Sequence, residues 1–127
     1  MFKLNIVFAV IFGASLGALL RWWLSVKFNH SHESFFLGTL LANVIACFLM
    51  GLLIGYESSG NTLSHALRIA IFSGFLGSLS TFSSFIAETY SHLLIKDWLK
   101  LLLGFNFQII LGLLAFHLAK QLGGIWQ

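Results

Sequence analysis

The residues best suited to chemistry stand together in one stretch, GFLGSLSTFSSF, from Gly74 to Phe85. Gly74, Gly77, Ser78, Ser80, Thr81, Ser83 and Ser84 crowd into a window with apolar sequence on both sides. Glycine lowers helix stability and serine offers the backbone competing hydrogen bonds, so a helix crossing this window has reason to part there. Carbonyl oxygens released by such a break are ready ligands for a hard cation, because they replace its hydration water. The other reading is an unbroken helix whose small residues form a packing face. Phe82 and Phe85 follow at i and i+3, on one helix face. An aromatic ring is positive at its edge. Ring edges turned toward a narrow path would favour a small anion without the tight hold of a fixed charge. Ordinary packing or lipid contact is the plainer use of the same pair.

Other polar residues interrupt apolar runs and are functional suspects for that reason. Asn43 carries two N–H donors and an acceptor, to line a path or to bond a neighbouring helix. Arg21 closes the first apolar run, where it can snorkel to the interface or draw anions to a vestibule. Glu88, near the end of the third run, suits an aqueous mouth or pairing with a cation. Asn106 and Gln108 lie two residues apart and so point in different directions on a helix. His65, His92 and His117 sit at segment boundaries and carry no assigned chemistry.

The elements that must position these residues are four apolar segments, at about 4–25, 35–56, 66–90 and 98–119. Each approaches the roughly 20 residues that a helix needs to cross a bilayer. The joins KFNHSHES, ESSGNTLSH and HLLIKD are short and polar. Trp22, Trp23, Tyr56, Tyr90 and Trp98 fall near segment ends, where amphipathic rings favour the lipid–water boundary. The expected fold is a single all-α membrane domain over 1–127, with four transmembrane helices and the third broken at mid-membrane.

Composition agrees. Charged residues are 9% of the chain, against about 25% in soluble domains. There is no Pro to interrupt a helix, and Cys47 has no partner for a disulfide within the chain. The seven Lys and Arg are scattered, which argues against a nucleic-acid surface. A cleaved signal peptide would account for the first segment, but that segment is long for one and three more spans follow. Hydrophobicity that runs all round the helices argues against a soluble bundle still more.

Lys/Arg asymmetry normally sets orientation. Here Lys3, Arg68 and Lys120 on one side face Arg21, Lys27, Lys96 and Lys100 on the other, nearly a tie. That balance allows a weakly biased protein whose orientation another feature decides, or insertion in both orientations and with it an antiparallel homodimer. Four short helices leave no room for a conduit inside one subunit, so a pathway would form between subunits, and two-fold dimers are the commonest assembly. Gly13 with Gly17, and Gly51 with Gly55, are GxxxG pairs, available for contact between subunits or within one.

GALLRWW (Gly17 to Trp23), GTLLAN (Gly38 to Asn43) and GFLGSLSTFSSF together resemble the CrcB/Fluc fluoride channel family, in length, span number and motif order. The resemblance implies passive export of fluoride across a bacterial inner membrane by an antiparallel, dual-topology homodimer with two fluoride pathways. It implies one structural sodium ion on the backbone carbonyls of Gly77 and Ser80. It makes Phe82 and Phe85 the aromatic box, Asn43 the pore-lining amide and Arg21 the vestibule cation. Thr39, Ser84 and Glu88 fall where the family has polar residues beside the ion path.

Two departures stand out. Phe36 and Leu37 precede Gly38 where the family often has Pro, and the fourth span lacks Ser and Thr. Gln108 is the expected substitute for that missing hydroxyl track. A small multidrug-type proton-coupled exporter shares the four-span, dual-topology plan, but its first helix would carry a Glu, and Leu4 to Ser25 has no acid. A scaffold subunit leaves the polar mid-span residues without a purpose. No nucleophile–base pair or metal-ligand set supports an enzyme.

Overall fold

The computed structural model describes residues 3–29 and 37–125. Helix α1 runs Leu4–Phe28, α2 Leu37–Ser58, α3 His65–Ile69, α4 Gly77–Leu79, α5 Phe82–Leu94 and α6 Trp98–Gly123. A π-helical stretch, Ala70–Leu76, joins α3 to α4. No strand occurs among the described residues. Among the described residues, four spans are long and apolar enough to cross a membrane: Leu4–Phe28, Leu37–Ser58, His65–Leu94 and Trp98–Gly123. Phe35 and Phe36, the expected start of the second span, lie outside the described residues.

Side chains of the joins close the helix ends. Ser64 accepts the Leu67 N–H at 3.4 Å to start α3, and Asp97 accepts the Lys100 N–H at 3.1 Å to start α6. Asn29, just past α1, accepts the Gly38 N–H at 2.7 Å and so ties the start of α2 to the end of α1. Glu57 and Arg68 pair through both carboxylate oxygens, at 3.0 and 3.1 Å, and hold the α2–α3 join.

Glycine decides which helices pair. A Cβ on Gly13 would overlap the Ala70 carbonyl, and one on Gly17 the Phe75 carbonyl. These two positions therefore let α1 lie backbone to backbone on the π-helical stretch. Gly51 and Gly55 do the same on α6, against the carbonyls of Phe116 and Lys120. Both GxxxG pairs thus pack within the chain. Residue numbers rise together in each contact, so α1 runs parallel to the third span and α2 parallel to α6. Leu24, Ala42, Ala46 and Leu79 form a small buried core where the two pairs meet. Most large apolar side chains elsewhere are exposed, as a lipid-facing surface requires.

Candidate functional site

The site grows from the place where the third span parts. Leu79 ends α4; Ser80 (φ −73°, ψ 151°) and Thr81 (φ −148°, ψ 107°) are extended; Phe82 opens α5. Side chains from within and without hold these two residues. The Thr81 hydroxyl accepts the Ser84 N–H at 3.2 Å and donates to Ser84 Oγ at 2.9 Å, capping α5. Asn43 engages both backbone groups of Thr81: its Oδ1 accepts the N–H at 2.7 Å and its Nδ2 donates to the carbonyl at 3.3 Å. The same Nδ2 donates to Gln108 Oε1 at 3.1 Å.

The interruption takes helical donors from the carbonyls before it, those of Gly77 and Ser80 among them. In a continuous helix the Thr81 N–H would go to Gly77 and the Ser84 N–H to Ser80; here they go to Asn43 and to the Thr81 hydroxyl. Arg21 stands one turn beyond Gly17, where α1 already touches the third span, and its Nη1 donates to the Ser80 carbonyl at 3.5 Å. Half-buried, it turns inward to the interruption.

One turn before Asn43, the buried Thr39 donates its hydroxyl to Glu88 Oε1. The Thr39–Glu88 pair and the network of Asn43, Thr81, Ser84 and Gln108 together make a polar seam between α2, the interruption, α5 and α6. The Phe pair divides. Phe85 is 7% exposed, with its ring centre 5.6 Å from that of Phe105, whereas Phe82 is 75% exposed. Their centres are 6.0 Å apart. A three-residue step falls short of a full turn, which sends Phe85 toward α6 and Phe82 out from the first turn of α5. Asn106 returns its amide to the Leu102 carbonyl at 2.7 Å and stays exposed, outside the seam.

The model of the family described as CrcB-like protein, Camphor Resistance (CrcB), matches residues 8–120. This chain belongs to the CrcB family. A relative from Haemophilus influenzae is 38% identical over 117 residues, 92% of this chain and 70% of its own. One from Mannheimia succiniciproducens is 39% identical over 106 residues, 84% and 76% of the two chains. One from Psychrobacter arcticus is 46% identical over 84 residues, 65% and 68%. All three carry the name fluoride-specific ion channel FluC, an ion channel and not an enzyme. With four spans of sufficient length, this CrcB-family chain is a multi-pass membrane protein.

Two hollows flank the seam of the CrcB-family subunit. An open groove of about 420 Å³ lies on the outer face, with Asn43, Ser80, Thr81, Phe82, Phe85 and Gln108 in its wall. A cavity of about 30 Å³ lies between α5 and α6, with Phe85, Glu88, Thr89, His92, Lys100 and Gln108 in its wall. Thr81 enters the sequence reading only as part of the polar window and Lys100 only in the charge balance, and His92 carries no assigned chemistry there. The capping use of Thr81 had a signal, a hydroxyl three residues before Ser84 at the foot of a helix. His92 and Lys100, eight residues apart, share the cavity wall because the α5–α6 turn between them is tight.

Proposed function

We propose that this chain is a fluoride channel that exports fluoride passively across a bacterial inner membrane, as an antiparallel homodimer of dual topology. The observation that carries the reading is the interruption at Ser80 and Thr81, with polar backbone beside an open groove and Phe82 exposed next to it. Irregular backbone at membrane depth needs protein or water over it. A second copy laid over this face supplies the protein and would close the largely apolar groove into a route along the seam. The names of the relatives from Haemophilus and Mannheimia support fluoride as the ion.

Each side chain has a task in this reading. Phe82 and Phe85 offer ring edges to a desolvated anion. Ser84, whose hydroxyl oxygen already accepts from Thr81, retains its own O–H to donate. Gln108 contributes its amide N–H groups. Asn43 and Thr39, whose donors go to Thr81, Gln108 and Glu88, hold the wall in shape. Glu88 lies beyond Phe85 toward the α5–α6 turn. Arg21 places positive charge close to the interruption.

The freed carbonyls of Gly77 and Ser80 suit a hard cation, and the Arg21 guanidinium stands 3.5 Å from the Ser80 oxygen. These two residues would hold the structural sodium ion, which when bound would supply a central positive charge and satisfy carbonyls at the subunit seam.

Liposomes loaded with fluoride and containing the purified protein test the proposal, with a fluoride electrode as the readout. Rapid efflux is expected, slowed at least tenfold by Phe82→Ile or Phe85→Ile. Retention of fluoride by the wild-type liposomes would overturn it.

A further inference from the structure

We propose that the end of α1 carries a binding site for the headgroup of an anionic phospholipid, with the Lys27 ammonium as its cation and Trp23 and Phe28 as the seat of that cation. The site needs only a protein in a membrane, so it stands apart from the channel reading.

A lysine at the end of a membrane helix ordinarily stretches outward to water. Lys27 turns the other way. It lies in the last turn of α1, where helical side chains lean back toward the preceding turn. Its ammonium rests 4.7 Å from the centre of the Trp23 ring and 5.8 Å from that of Phe28. The two rings meet edge to face, with centres 6.5 Å apart. Cation–π attraction to both rings holds the charge at the depth that tryptophan favours, the lipid–water boundary.

The charge held there has no counter-charge beside it. Among the described residues, Glu57 pairs with Arg68, Asp97 pairs with Lys100, and Glu88 accepts from Thr39. Lys27 is left without a carboxylate among these residues. Arg21, on the same helix, turns inward to Ser80, so Lys27 is the cation that this end of α1 shows to the outside. An ammonium has three N–H donors, and those directed away from the rings are open to an anion. At headgroup level the abundant anion is lipid phosphate, and a net negative lipid is drawn more strongly than a zwitterion.

The helix below the ammonium suits the rest of the lipid. Trp23, Leu19, Leu16 and Phe12 stand 4, 8, 11 and 15 residues before Lys27, on one helix face. All four are exposed. An acyl chain descending from a headgroup at Lys27 would lie along this ridge.

The test uses full-length protein in a maltoside detergent, titrated with dioleoyl phosphatidylglycerol or dioleoyl phosphatidylcholine, with bound lipid counted by native mass spectrometry. The wild type should retain phosphatidylglycerol in preference to phosphatidylcholine. Lys27→Gln should weaken phosphatidylglycerol binding by about fivefold, the worth of one lysine at a lipid surface, and leave phosphatidylcholine unaffected. Trp23→Leu keeps the lysine and removes its larger ring, and should weaken phosphatidylglycerol binding by a smaller factor. Lys96→Gln removes another exposed lysine, in the α5–α6 turn, and should change nothing. Inorganic phosphate should not displace the lipid. Equal retention of both lipids by the wild type, or undiminished phosphatidylglycerol binding by Lys27→Gln, would overturn the site. An equal loss in Lys96→Gln would overturn it in favour of general surface charge. Full binding by Trp23→Leu would overturn the aromatic seat, and displacement by inorganic phosphate would overturn the lipid as the ligand.

Discussion

Arg21 reaches from α1 to the Ser80 carbonyl, Nη1 to oxygen 3.5 Å, across the seam between the first and third spans. The contact is long for a hydrogen bond, so its worth falls below the roughly 1.5–3 kcal/mol of a well-formed bond to a charged group. Arg21→Ala should cost about 1 kcal/mol, seen as a lowered midpoint of thermal unfolding in detergent. Arg21→Lys should fall between the two, since a shorter point charge approaches one carbonyl without the reach of a planar fork. An unchanged midpoint in Arg21→Ala would show that the guanidinium contributes nothing to holding the interruption.

The four spans were legible because each is a long apolar run bounded by polar residues, and no Pro confuses the pattern. Helix pairing was not legible. Hydrophobicity that runs all round a helix leaves no stripe to show which face meets a neighbour. The GxxxG pairs allowed contact within or between subunits, and only the carbonyls of Ala70, Phe75, Phe116 and Lys120 place these contacts inside the chain. The π-helical turns from Ala70 to Leu76, which lie backbone to backbone on α1, have no sequence signature. Asn43 stood out as a polar residue in an apolar run, but its partner Thr81 lies 38 residues away and no local pattern joins them.

Close backbone approach makes the glycines unequal. Gly17→Ala would drive a methyl group into the Phe75 carbonyl, and a backbone atom cannot swing aside. Overpacking of this kind costs about 1–3 kcal/mol. Gly112→Ala would meet only Cys47 Sγ at 3.4 Å, a side chain that can give by a few tenths of an ångström. The prediction is a marked loss of folded, monodisperse protein on size exclusion for Gly17→Ala and near wild-type yield for Gly112→Ala. Equal yields would mean that α1 and the third span do not touch in the way described.

Thr81 is buried and caps α5 through its hydroxyl. Thr81→Val keeps the shape and removes the oxygen that accepts the Ser84 N–H. Loss of such a cap costs about 0.5–2 kcal/mol. Thr81→Ser retains the acceptor and should lose much less. Chemical unfolding followed by helix content in detergent separates the two, and identical curves for Val and Ser would remove the capping role.

Asp97 stands between α5 and α6, outside the spans, and links helix capping to pH. The Lys100 backbone N–H bonded to its carboxylate holds the carboxyl below its ordinary value, with the Lys100 ammonium at 3.4 Å adding to the effect. A folded-state value below the unfolded one, about 3.9, adds stability above that pH and loses it as pH falls through the folded value. Acid below about pH 4 should therefore loosen the start of α6. Asp97→Asn still accepts the Lys100 N–H but does not titrate. Between pH 7 and pH 3 the wild-type unfolding midpoint should fall further than that of Asp97→Asn, because the remaining carboxylates titrate in both proteins and cancel. Parallel curves across that range would show that the charge on Asp97 does not support the fold.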